Sequence, residues 1–206
     1  MKLKFGVLVV WAALTCAAAS AQESVSLFDG KTFSGWDGNL QIFRIEDGAI
    51  VGGTLKEKIA RNEFLTTQKE YADFELQLKF KVLGKGANAG IQIRSRRIPD
   101  HHEMIGYQAD LGDGWWGSLY DESRRKRVLA KADPEVVDKV LKRDDWNEYR
   151  IRCQARRIQF WINGQQTVDY TEPDEQIEQK GLIGLQIHGG MPSEAWYKDI
   201  SIREIK

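Results

Sequence analysis

The stretch FELQLKFKV, Phe74 to Val82, alternates without a break, with Phe74, Leu76, Leu78, Phe80 and Val82 on one side and Glu75, Gln77, Lys79 and Lys81 on the other. Side chains recur every two residues along a strand and every 3.6 along a helix, so this pattern can bury one face only as a strand. A strand with one dry face needs a second layer to cover it. FRIEDGAIVG predicts a hairpin turning at Asp47-Gly48, and RIQFWINGQQTVDY another at Asn163-Gly164, dipeptides that accept the left-handed backbone of a tight turn. WNEYRIRCQ, GLIGLQIHGG and DISIREI add three more strands. One segment departs from period two: Asp133 caps a turn begun by Pro134, and Val136, Val137, Val140 and Leu141 then form a single apolar stripe. The expected fold is all-β, a two-sheet antiparallel jelly-roll sandwich with one short helix.

The chain opens MKLKFGVLVVWAALTCAAASAQ, in which Lys2 and Lys4 precede an apolar run and Ala19-Ser20-Ala21. That order is a secretory signal layout, with cleavage expected after Ala21. The apolar run falls short of the roughly 20 residues needed to span a bilayer, so no stable membrane span is expected after cleavage. The expectation is residues 1–21 as signal peptide and 22–206 as one exported domain, periplasmic or extracellular. The net charge is 0, or −2 without Lys2 and Lys4, which gives no basic surface for nucleic acid. Cys153 alone survives cleavage, so no intrachain disulfide is expected, and its alternation with Tyr149 and Ile151 makes it an apolar filler. Without CxxC or HExxH, a structural zinc site is not expected.

A ligand site on a sandwich needs an outer face carrying polar and aromatic groups. Three strands offer one. In GIQIRSR, Ile91 and Ile93 point to the core and Gln92, Arg94 and Arg96 away. GYQADLG leaves Gln108 and Asp110 opposite Tyr107, Ala109 and Leu111, and GLQIHGG leaves Gln186 and His188 opposite Leu185 and Ile187. Gln-Arg, Gln-Asp and Gln-His pairs both donate and accept, as sugar hydroxyls do. Trp115, Trp116 and Tyr120 follow at once, able to stack on the apolar face of a pyranose, with Asp121 and Arg124 as a bracing pair. Any single pair taken alone reads more readily as solvated surface than as a site, and Arg124 to Arg127 as a solvated charge run. Trp36, Trp146, Trp161 and Trp196 read as packing. His101, His102 and Glu103 form a weak metal signal.

Taken in order, SLFDGKTFSGW, FRIEDGAIVGG, YADFELQLKFKV, NAGIQIRSR, GYQADLGDGWWGSLYDESRR, WNEYRIRC, IQFWINGQQTVDY, GLIGLQIHGG and YKDISIREIK resemble the DUF1080, or 3-keto-disaccharide hydrolase, family over essentially the whole chain after the leader. The resemblance implies a concanavalin A-like jelly roll and cleavage of glycosides already oxidised at C3. Where many relatives carry a Tyr-Glu-Val-Gln type of strand, this chain has Tyr107-Gln108-Ala109-Asp110, which makes Asp110 the better acid/base candidate. A 3-keto group acidifies C2–H, so a base removes that proton, the C1 leaving group departs, and water adds. Asp110 and His188 are the expected catalytic base and acid, with Arg94, Gln92, Gln108, Trp116, Tyr120, Asp121 and Gln186 binding substrate. No nicotinamide fingerprint is present, so a separate sugar-3-oxidising dehydrogenase is the implied partner. No cofactor is called for, and a divalent metal stays open. The alternative functions are a non-catalytic carbohydrate-binding module and a structural envelope domain, because the same sandwich hosts lectins.

Overall fold

A computed structural model describes residues 23–205, so the leader expected over residues 1–21 lies outside the described residues. In chain order the first strands are β1 (Val25–Ser26), β2 (Trp36–Asp37), β3 (Phe43–Glu46), β4 (Ala49–Thr54), β5 (Glu63–Thr67) and β6 (Phe74–Leu83). Next come β7 (Asn88–Arg97), β8 (Met104–Gly112), β9 (Leu119–Glu122), β10 (Arg127–Ala130) and the helix α1 (Pro134–Asp138). The chain finishes with β11 (Asn147–Gln154), β12 (Arg157–Ile162), β13 (Gln165–Thr171), β14 (Leu182–Ile187) and β15 (Ser193–Glu204). One sheet runs β13-β12-β11-β6-β15-β4-β3, with β1 added on β15, and the other runs β10-β9-β8-β7-β14-β5-β2. Neighbouring strands pair antiparallel, the sandwich expected from the alternation.

The alternating stretch is β6, at the centre of the first sheet, with Phe74, Leu76, Leu78, Phe80 and Val82 in the core. Across the layer, Ile91, Ile93, Tyr107, Ala109, Leu111, Leu185 and Ile187 close on them, all fully buried. Each large apolar side chain removed from water contributes about 1.5–3 kcal/mol, so these two stripes hold the sheets together. Cys153 belongs to this core, and burial pushes its thiol up to about 12. Asp133 caps α1 by accepting from Glu135 N–H at 2.9 Å, as expected, and Val137 is the helix residue it buries. Trp36 is buried and donates to the Leu27 carbonyl at 2.7 Å. Trp146 and Trp196 meet edge to face on the outside of the first sheet, beneath Lys81.

One irregularity decides how the second sheet presents its outer face. The pairing of β7 with β8 runs evenly to Ile93↔Tyr107 and resumes one residue out of step at Arg96↔Ile105. Arg94 absorbs the extra residue in a left-handed backbone, φ 47°. The period-two expectation for Arg94 is thereby corrected. Its side chain is fully enclosed at the end of the sandwich and binds the Ala72 and Ala155 carbonyls, Gln179 and Asp73 at 2.6–2.9 Å. Ser95 takes the outward place instead, with its Oγ 2.7 Å from Gln92 Oε1.

Gly106 accommodates this arrangement. Its φ is 151°, and a Cβ there would lie 2.2 Å from Ser95 Oγ. Gly106→Ala is therefore expected to destabilise by about 2 kcal/mol or more, lowering Tm by about 4–8 °C. Calorimetry checks this, with Gly86→Ala (φ 68°, nothing within 4 Å of the added Cβ) as the control for backbone strain alone. Equal losses in the two variants would show that Ser95 does not press on position 106.

Candidate active site

The outer face of the second sheet is laid out by strand register. One row crosses it as Tyr120, Gln108, Gln92, Gly184 and Thr66. The next runs Asp110, Gly90, Gln186 and Phe64. Past the end of β14, His188 lies beside Asn88, whose carbonyl accepts its N–H at 3.0 Å. This face is dry for so polar a surface, with Gln92 and Gln186 at 0% exposure and Gln108 and Asp110 at 4%. Part of the cover comes from the end of the β7–β8 connection, where Asn62 donates to Glu103 at 3.0 Å, and from Met104, the first residue of β8, which lies over Gly184.

A cavity of about 200 Å³ opens where the cover stops, lined by Asn62, Asn88, Gln108, Asp110, Trp115, Tyr120, Glu122 and His188. Asp110 reaches it from the sheet. Gln108 Nε2 donates to its Oδ1 at 2.7 Å, while its Oδ2 has no donor from the described residues. Burial pushes the Asp110 carboxyl up to about 7; the Gln108 hydrogen bond opposes this, and the Glu122 charge adds to it. Glu122 is also raised, by burial first and then by Glu103, with the Ser123 N–H, His188 and Lys126 pulling the other way. Tyr120 is raised by burial and by the acids around it, so its hydroxyl keeps its proton. The cavity thus combines a proton-accepting carboxylate, a second carboxyl, an imidazole, and the amide of Asn88 as an available donor. Among the described residues, no three His, Cys, Asp or Glu side chains group to hold a metal ion.

Of the residues expected from sequence, the structure brings Gln108, Asp110, Tyr120 and His188 to one cavity. Gln92 lies one strand further in, out of solvent, and donates to Gln108 at 2.6 Å. Gln186 sits under the cover with neither amide atom partnered by the described residues. Trp116 is elsewhere: its ring stacks on the core residue Phe80 and its Nε1 donates to Asp113. The cavity wall falls to Trp115, 41% exposed and edge-on to Tyr120. Asp121 does pair with Arg124, but on the inner side of β9 and fully enclosed. Glu122, the next residue, faces the cavity, and the shared parity of Tyr120 and Glu122 was the signal for it. Asn62 and Asn88 carried no comparable signal.

A family profile described as the 3-keto-α-glucoside-1,2-lyase-like domain matches residues 23–203. A curated relative, the 3-keto-disaccharide hydrolase of Bacteroides thetaiotaomicron, is 22% identical over 233 residues, covering 89% of this chain and 79% of its own. Among solved structures, a provisionally assigned glycosyl hydrolase of Parabacteroides distasonis superposes with TM-score 0.68 at 18% identity, over 89% of this chain and 94% of that one. The carbohydrate-binding module CBM66 of Bacillus subtilis superposes with TM-score 0.61 at 11% identity, over 82% and 96%. These two likenesses establish the fold.

The raised Asp110 carboxyl makes stability depend on pH. Below about pH 4 the group is protonated folded and unfolded alike. Between 4 and 7 the unfolded chain releases the proton that the folded protein keeps, so stability falls as pH rises, by on the order of 4 kcal/mol in all. Asp110→Asn keeps the acceptor for Gln108 and removes the titration. Its Tm relative to the parent is therefore expected to climb between pH 4 and pH 8, and a gap that stays flat over that range would contradict the buried, proton-retaining carboxyl.

Proposed function

The chain belongs to the 3-keto-α-glucoside-1,2-lyase-like domain family, and on that premise we propose that the cavity takes one sugar ring oxidised at C3 and breaks its glycosidic bond at C1, with Asp110 as the base. The observation that carries this is Asp110 itself, a nearly dry carboxylate poised near neutrality, with one oxygen held by Gln108 and the other toward the cavity. A general base works best when its pKa lies near the working pH.

Ionised Asp110 takes the C2 proton, and the electron pair of that bond moves into the adjacent ketone as an enolate. The Asn88 amide and the Tyr120 hydroxyl are the donors for the developing oxyanion. The enolate re-forms its carbonyl as a C1–C2 double bond forms and the C1–O bond breaks, and His188 gives a proton to the departing oxygen. Water then adds at C1, giving its proton back to His188, while Asp110 returns its proton to C2, so the net reaction is hydrolysis without oxidation or reduction. The ketone must be installed beforehand by a separate dehydrogenase acting at C3. Trp115, exposed at the rim, offers its ring to the apolar face of the sugar or of the leaving group. The leader-like residues 1–21 support action outside the cytoplasm.

The test compares product release from a 3-keto-glucoside and from its unoxidised parent, with and without chelator. Turnover is expected only for the oxidised substrate, and Asp110→Asn is expected to lose about 10²- to 10⁴-fold in kcat. Binding of both sugars without turnover of either would instead favour a carbohydrate-binding module. Trp115→Ala is expected to raise KM about tenfold with kcat largely kept, equivalent to about 1.4 kcal/mol of stacking. An unchanged KM would remove Trp115 from the site.

A further inference from the structure

Four residues of the dry outer face are joined by hydrogen bonds that run in one direction. Ser95 Oγ donates to Gln92 Oε1 at 2.7 Å, Gln92 Nε2 to Gln108 Oε1 at 2.6 Å, and Gln108 Nε2 to Asp110 Oδ1 at 2.7 Å. The four residues are 1%, 0%, 4% and 4% exposed, so water does not compete along the line. A carboxamide is nearly symmetric in shape and opposite in polarity at its two ends, and its neighbours decide which end points where. This array has a second self-consistent sense. If Ser95 turned its proton to the Ile93 carbonyl, 2.9 Å away, both amides could invert and Gln108 would present its oxygen to Asp110. That sense suits a protonated carboxyl, which donates; the observed sense suits a carboxylate, which accepts.

We propose that Gln92 and Ser95 are positioning residues, neither touching substrate, that lock the Gln108 amide with its N–H toward Asp110 and so favour the ionised carboxylate and aim it at the cavity. Ser95 is available for this because the bulge at Arg94 turns it outward, and Gly106 leaves room for its hydroxyl. The other groups around Asp110 are Glu122 and Tyr120 from β9, His188 beyond β14, Glu103 behind Glu122, and the buried Tyr149 from β11 beneath. None of them is altered when position 92 or 95 is changed.

The relevance of the lock to turnover rests on Asp110 being the base; its effect on Asp110 does not. The experiment is therefore the titration of the Asp110 carboxyl carbon by ¹³C NMR in substrate-free protein, with the resonance assigned by its loss in Asp110→Asn. Gln92→Leu and Ser95→Ala are each expected to raise the midpoint by about one pH unit or more, the size of a weakened charge-assisted hydrogen bond. Thr66→Val, in the same row but beyond Gly184, controls for general loosening of the face and is expected to leave the midpoint in place. An unchanged or lowered midpoint in Ser95→Ala, the variant that removes only a hydroxyl, would overturn the proposal, as would an equal rise in Thr66→Val. A midpoint that moves while the acidic limb of kcat/KM on a 3-keto-glycoside stays fixed would uphold the lock and reject Asp110 as the base.

Discussion

A guanidinium stays charged at any pH a protein survives, so enclosing that of Arg94 obliges the chain to bring acceptors to it. Four come: the Ala72 carbonyl and Asp73 from ahead of β6, the Ala155 carbonyl from the β11–β12 turn, and Gln179 from the loop before β14. One side chain from the second sheet thereby ties together segments at one end of the sandwich. Reaching them requires Arg94 to point inward, and the backbone provides for this with the extra residue in β7. Were the alternation of β7 unbroken, the Ser95 hydroxyl would face the hydrocarbon core and Gln92 would lose its donor. The polar order of the outer face follows from a charge buried on the inner side.

The same sandwich shows how a guanidinium lowers a dry carboxyl. Glu172, enclosed like Asp110, would be raised by burial, but hydrogen bonds from Arg125 and Tyr107 bring it down to about 2. Asp121 beside it is likewise enclosed and paired with Arg124 and Arg125. Asp110 is given an amide and no cation, and it is held near neutrality. The basic run from Arg124 onward, read from sequence as a solvated charge run, thus spends two of its arginines inside a buried ion cluster. The carboxyl raised toward neutrality is the one that the arginines do not reach.

What was legible in the sequence is what depends on parity. The apolar alternation of β6, β8 and β11 fixed which residues meet in the core, and the same parity put Gln108, Asp110 and Tyr120 on one outer face. Parity failed where the backbone breaks it. Nothing in GIQIRSR marks a bulge, since the residue that takes the left-handed conformation is Arg94 rather than a glycine. Loops carry no period, so Trp115 and Trp116, flanked by Gly114 and Gly117, could not be told apart, and the more buried of the two went to the core. Asp121 drew notice for its arginine neighbours, an accurate pairing on the wrong side of the strand, while Glu122 shared the parity of Tyr120. The single amides Asn62 and Asn88 gain meaning only from the company that folding gives them.

Gly90 stands between Asp110 and Gln186 with no side chain, and the Gln108 side chain fills the space above it; a Cβ at position 90 would lie 2.6 Å from the Gln108 Cδ. For a lineage carrying this sequence, the two positions cannot drift independently. Any side chain gained at 90 is unfavourable while glutamine stands at 108, and shortening 108 first surrenders the donor that Asp110 depends on. The two positions are coupled through a single close contact on the outer face. The empty place on the sheet is thus space reserved for a neighbour's side chain, at a glycine whose own backbone conformation does not require one.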